Sequence, residues 1–125
     1  MIVLDTSILI DAMTGLKRSG PAIRSALDEG EDVLMPALVL YEWLRGTRRP
    51  EELALQESLF PAELAIPFDA EDAEVAARLY RSVSRARTRE VDLAIAACAI
   101  VRDAPLWTLN HADFRDLPGL RLYRM

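Results

Sequence analysis

Apolar residues fall in blocks of two lengths, separated by polar residues, glycine or proline. The short blocks read as buried strands and the long ones as helices. Ile2 to Leu4 is a β-branched run ending at Asp5, after which Thr6 and Ser7 can cap a helix whose first turns cover 8–13. Gly15 and Gly20-Pro21 break the chain, and 21–29 predict a second helix closed by Gly30. Val33 to Met35 reads as the second strand. Pro36 suits a first helical position, and the run ALVLYEWLR carries a helix to Gly46. Glu51 to Phe60 predicts another helix, Pro61 stops it, and Leu64 to Phe68 is a third strand that Pro67 confines to an edge. Asp69 caps a long helix over 70–86, with Ala73, Ala76, Ala77 and Tyr80 at helical spacing. Asp92 opens an apolar helix that ends before Pro105, and Leu106 to Leu109 is the fourth strand. Asn110 starts a short helical turn, Pro118-Gly119 reverses the chain, and Leu120 to Tyr123 is the fifth strand.

Strands alternating with helices predict an α/β fold: one domain over 1–125, with a mostly parallel five-stranded sheet covered by helices on both faces. In such sheets ligands bind beyond the carboxyl ends of the strands. Asp5 and Asn110 each directly follow a predicted strand, so both belong to that edge. Glu42 lies two turns into the helix after the second strand, beside Leu38, Val39 and Trp43, which turns its carboxylate inward. Asp92 stands at a helix N-terminus, and Asp113 one helical turn beyond Asn110.

Each acid also has an ordinary use: Asp5 and Asp92 are cap residue types, Asn110 and Asp113 suit a surface turn, and Glu42 can face solvent. All of them at one edge of one sheet is a different matter. Buried carboxylates drawn to one point repel each other, and for hard oxygen donors the usual counter-ion is Mg²⁺ or Mn²⁺.

Composition narrows the setting. A length of 125 residues and 51% hydrophobic content allow a sizeable core without disulfides. The single cysteine, Cys98, lies in the run AIAACAIV and reads as a small buried hydrophobe, which fits a reducing cytosol. The N-terminus lacks the basic region and cleavage site of a signal peptide, and no apolar stretch reaches the roughly 18 to 20 residues of a membrane span. A soluble, cytoplasmic protein is expected. The net charge of −5 conceals an uneven distribution: Lys17 is the one lysine, while Arg78, Arg81, Arg85, Arg87 and Arg89 fall within twelve residues. Such a strip can draw a polyanion to an acidic protein, and can equally be a solvated helix face.

At these residues the sequence resembles the PIN-domain ribonucleases, and among them the VapC toxins of VapBC toxin–antitoxin pairs. The resemblance covers essentially the whole chain. IVLDTSILID is similar to the family's opening, LVLYEWLRG to its glutamate-bearing helix, EVDLAIAACAI to its third acidic block and LWTLNHADF to its close. It implies a PIN-like three-layer fold and a metal-dependent endoribonuclease. Asp5, Glu42, Asp92 and Asp113 would be its catalytic and metal-binding acids, with Thr6, Ser7, Thr108 and Asn110 supporting them. Asp5 and Asp92 would be the main ligands of Mg²⁺, for which Mn²⁺ could substitute, and Glu42 a ligand or the base for an attacking water. Where some family members carry Asp directly after the fourth strand this chain has Asn110, so the fourth charge falls to Asp113.

Arg85, Arg87 and Arg89 would then contact RNA phosphates, and His111, the one histidine, is read as a surface residue. The same resemblance implies a homodimer and a cognate VapB-like antitoxin, for which Tyr41, Trp43, Leu44, Leu55, Leu59 and Phe60 offer a hydrophobic groove. A catalytically silent PIN-like protein-binding module is the alternative. A phosphoacceptor receiver domain would need a lysine after a late strand, and the five glycines form no phosphate-binding loop.

Overall fold

The computed structural model describes residues 1–14 and 19–124. Three parallel strands form the sheet: β1 (Ile2–Leu4), β2 (Val33–Leu34) and β3 (Leu106–Trp107), in the order β2-β1-β3. Val3 pairs with Leu34 on one side and Leu106 on the other. Around the sheet stand α1 (Thr6–Met13), α2 (Ser19–Asp28), α3 (Ala37–Leu44), α4 (Pro50–Leu59), α5 (Ala70–Ser82), α6 (Glu90–Val101) and the short α7 (His111–Phe114).

The expectation of five strands is corrected to three. The two outer segments keep their places beside the sheet but pair through one residue each, Ile66 with Pro36 and Leu122 with Leu106. Leu64 to Phe68 cannot extend as a strand because Ala62–Leu64 winds into a 3₁₀ turn on one side of Ile66 and Pro67 lacks an N–H on the other. The fourth predicted strand also stops early, at Trp107, because the Thr108 hydroxyl captures the Asn110 N–H at 2.9 Å and bends the chain.

Helix ends shift for equally local reasons. The first helix begins at Thr6 and the second at Ser19, whose N–H is held by the Asp11 carboxylate at 2.7 Å. Gly15 and Lys17 lie outside the described residues. Asp69 caps α5 as predicted, in a reciprocal box with Asp72. That helix ends at Ser82 rather than 86, since Val83 is extended and Arg85 takes a left-handed conformation. The next helix starts at Glu90, so Asp92 is its third residue and not its cap.

The core sits on both faces of the sheet. Leu93, Ile95, Ala96, Ala97, Cys98 and Ala99 are all buried, so α6 is the central helix, and its alanines let α5 and the sheet approach closely. Burial pushes the Cys98 thiol up to about 12, as suits a buried hydrophobe. Arg102, at the end of α6, donates to the fully buried Asp72 at 2.9 Å and ties α5 to α6.

The expected apolar groove is divided three ways. Trp43 and Phe60 are core residues, 0% and 4% exposed, which corrects their placement on a surface. Tyr41 and Leu44 are exposed on α3. Leu55 and Leu59 line a separate cavity of about 480 Å³ with Ala12, Met13 and Ile23, between α1, α2 and α4. No helix among the described residues is long and apolar enough to cross a membrane.

Candidate active site

Parallel pairing sends β1 and β3 out of the sheet at the same edge, and the residues that follow them meet there. Asp5 is 3% exposed, and its N–H donates to the Trp107 carbonyl at 2.9 Å, an extension of the β1–β3 ladder. Its Oδ2 accepts two hydroxyl hydrogen bonds, from Ser7 at 2.8 Å and Thr108 at 2.7 Å. Each hydroxyl is aimed by a backbone donor, Leu109 N–H to Ser7 at 3.0 Å and Asn110 N–H to Thr108 at 2.9 Å. An ionised carboxylate can only accept, so in these two bonds both hydroxyls turn their own protons to Asp5 and keep their lone pairs for the N–H groups. The carboxylate is thereby fixed through Oδ2, while Oδ1 accepts no hydrogen bond among the described residues.

Glu42 comes to the same edge from α3. Thr6, the first residue of α1, donates to its Oε1 at 2.6 Å, and Arg45, one turn on, to its Oε2 at 3.2 Å. Thr6 and Ser7 are consecutive residues, so a single turn of α1 orients two of the acids.

Asp92 is partly buried near the start of α6, and no donor among the described residues binds its carboxylate. Its carboxyl is pushed up to about 6, first by burial and then by the negative charges of Asp5, Glu42 and Asp113, while Arg89 opposes the shift. Asp113 lies on exposed α7. The field of the other three acids thus converges on Asp92, although among the described residues no three acids stand close enough to make a ready-built metal cage. Two features fit a hydrated divalent ion nonetheless. Hard oxygens with no protein donor, Asp5 Oδ1 and the Asp92 carboxylate, are the right chemistry, and Mg²⁺ keeps most of its waters, using one or two direct carboxylate bonds.

Of the other residues singled out from sequence, Thr6, Ser7 and Thr108 touch the acids directly. Asn110 contributes its backbone N–H to Thr108, and its side chain is exposed. Arg85 and Arg87 are exposed. Arg89 differs from them. Its guanidinium forks onto Asp116 at 2.7 and 3.0 Å and donates to the carbonyls of Asp113 and Ser84, so both of its terminal nitrogens are taken up within the protein. Asp116 was not legible as a partner. Nor was Arg45 singled out, although its place three residues after Glu42 on one helix is a signal that could have found it. A polar cavity of about 370 Å³ opens beside the acids, lined among others by Glu42, Asp92, Arg45, Arg87, Thr88 and Arg89. His111 is exposed at the start of α7.

A family model described as PIN domain matches residues 2–120. Ribonuclease VapC19 of Mycobacterium tuberculosis is 35% identical over 124 residues, covering 97% of this chain and 98% of that protein. Ribonuclease VapC1 of Methanocaldococcus jannaschii is 28% identical, over 98% of this chain and 86% of its own length. Among solved structures, DNA-bound VapBC from Salmonella typhimurium superposes with a TM-score of 0.79 at 23% identity, covering 98% of this chain and 96% of that one. At that identity the match speaks for the fold.

Proposed function

The chain belongs to the PIN-domain family, in its VapC branch, and from that membership we propose that it is an endoribonuclease, the toxin of a type II toxin–antitoxin pair, acting in the cytoplasm through a divalent metal. The observation that carries the metal reading is the Asp92 carboxyl, raised to about 6 by burial and by three other acids from separate segments of the chain. A fold that holds uncompensated carboxylates together calls for a cation.

Asp5 and Asp92 would hold Mg²⁺ or Mn²⁺, with Glu42 and Asp113 alongside. When bound, such an ion would lower the pKa of a water, polarise the scissile phosphate and mask the acids from the incoming RNA. The chain's own residues do the rest. Ser7 and Thr108 hold Asp5 through one oxygen and leave the other for the ligand. Thr6 keeps Glu42 turned to the site, where it serves as ligand or as base for the attacking water. Asn110 keeps the Thr108 hydroxyl aimed, and Asp113 supplies the fourth charge. Arg45 and Arg87, on the wall of the polar cavity, stand where a flanking phosphate would pass. The partner is a VapB-like antitoxin with an apolar segment suited to the cavity of Leu55 and Leu59, and the protein acts as a homodimer.

Chelation should abolish cleavage of RNA, and added Mn²⁺ or Mg²⁺ should restore it. Asp5→Ala should stay inactive under the restoring conditions, by on the order of 10²-fold or more. Robust cleavage in excess chelator would remove the metal from the reaction. Replacing Arg85 and Arg87 with glutamine should weaken binding of different RNAs about equally and flatten the salt dependence by roughly 0.7 per lost contact for single strands. An unchanged slope would make both arginines part of a solvated face.

A further inference from the structure

Arg89 directly precedes α6, three residues before Asp92, and its side chain is only 16% exposed. Its guanidinium joins three segments: the Ser84 carbonyl after α5 at 3.1 Å, the Asp113 carbonyl on α7 at 2.9 Å, and the Asp116 carboxylate just beyond α7. The Asp113 carbonyl lies in the last turn of α7, where backbone acceptors lack helical partners and the dipole favours a cation. Helix α7 is only four residues long. Phe114 anchors it in the core on one side, and the Arg89 fork ties it to the start of α6 on the other. Asp113, next to Phe114, takes its direction from these two holds.

We propose that Arg89 is a positioning residue for the metal centre: its planar fork, together with Asp116, holds α7 against the start of α6 so that Asp113 faces Asp92. This rests on reading the acids as a metal site. Charge and geometry make opposite predictions here, which is what makes the inference testable. The positive field of Arg89 falls on both Asp92 and Asp113 and opposes a second cation, so a residue acting through charge alone would, on removal, let metal bind more tightly. A residue acting through its fork would, on removal, leave metal bound more weakly. Lysine keeps the charge but has no planar fork with which to reach Ser84, Asp113 and Asp116 at once.

The test is Mn²⁺ titration of the metal-free protein by calorimetry, with melting curves and cleavage rates on the same samples. Arg89→Lys and Arg89→Gln should both bind Mn²⁺ about tenfold more weakly, the loss typical when a group supporting a metal ligand is removed. Much of kcat should return at saturating Mn²⁺, because both terminal nitrogens of Arg89 are bound to Ser84, Asp113 and Asp116 and act on the ion only through α7. A role confined to stability would lower the melting temperature and leave Mn²⁺ affinity alone. Arg89→Lys equal to the parent with Arg89→Gln tighter would overturn the inference in favour of charge. Should both variants fail to fold, Asp116→Asn breaks the same fork from its more exposed side, and an unchanged Mn²⁺ affinity there would overturn it. A parent that binds no Mn²⁺ would overturn the metal reading and this inference with it, whereas a parent that binds and variants that match it would overturn this inference alone.

Discussion

Asp92→Asn should melt higher than the parent when both are free of metal, and should cleave no RNA. The substitution keeps the size and polarity of the side chain and deletes one of four charges that act on a common point. In the parent the folded state holds the Asp92 carboxyl at about 6, above its ordinary 3.8. The folded state therefore binds this proton more tightly than the unfolded chain does. The contribution is fully present below about pH 4, and it is lost as pH rises through about 6. Above that pH the ionised group works against the fold. Because part of the carboxyl meets solvent, a shift of this size is worth roughly 1 to 2 kcal/mol. That is roughly 3 to 8 °C in a domain of this length.

Comparison with pH sharpens the test. The gap between the two proteins should be full near pH 7 and close below about pH 4, where Asp92 is neutral in both. Mg²⁺ should raise the parent's melting temperature, because an ion bound only by the folded state stabilises it, and should raise the variant's far less. A variant as stable as the parent or less so at pH 7 without metal, and still active, would show that Asp92 belongs to no shared site.

Trp43→Ala should cost about 3 to 5 kcal/mol, out of the roughly 5 to 15 that hold a domain together. The side chain is wholly buried and among the largest in the core. Arg48 stacks over its ring at 4.2 Å and donates to its backbone carbonyl at 2.9 Å, so the loss would also strip the stacking partner from an arginine that closes the turn after α3. The indole Nε1 has no hydrogen-bond partner among the described residues, and its removal offsets a little of the penalty. A fall of roughly 10 to 20 °C in melting temperature is expected. Antitoxin affinity of the molecules that remain folded should be unchanged, since no partner can reach a residue with no exposed surface. Weakened binding with a near-parental melting curve would put Trp43 back on a docking face.

The contrast between Glu42 and Trp43 shows what the sequence could and could not convey. Both lie on α3, whose residues are apolar almost all round. An acid in such a helix stands out by its chemistry, and Glu42 is held by Thr6 beside the strand end that carries Asp5. An apolar residue there carries no mark of direction, because periodicity selects a face only when the opposite face is polar. Only Val39 and Trp43 of α3 are buried, four residues apart. Asp5 was legible for another reason: it directly follows a strand, and parallel pairing leaves strand ends one place to go, whereas Thr6, Ser7 and Thr108 were named through the family resemblance. The end of α5 was not legible. The segment SVSRAR holds neither glycine nor proline, yet Arg85 adopts the left-handed turn at φ 55° that glycine would have announced. The Arg89 fork escaped notice because Asp116 lies 27 residues away, and a contact so distant leaves no local pattern.

Each margin of the sheet ends in a single bridging residue, and this limits how other molecules can join it. Beyond β2 the chain offers Ile66, whose N–H and carbonyl are both turned inward to Met35 and Ala37, and then Pro67, which has no amide proton to give. Beyond β3 the Tyr123 N–H and the Arg121 carbonyl are likewise turned inward, to Leu106. An extended peptide seeking to templatise a further strand would find almost no ladder to continue. The same poverty protects crowded copies from edge-to-edge stacking and from strand-exchanged aggregates. Recognition is left to side chains on the helices, where residues can change from one partner to another without disturbing a backbone hydrogen bond of the sheet.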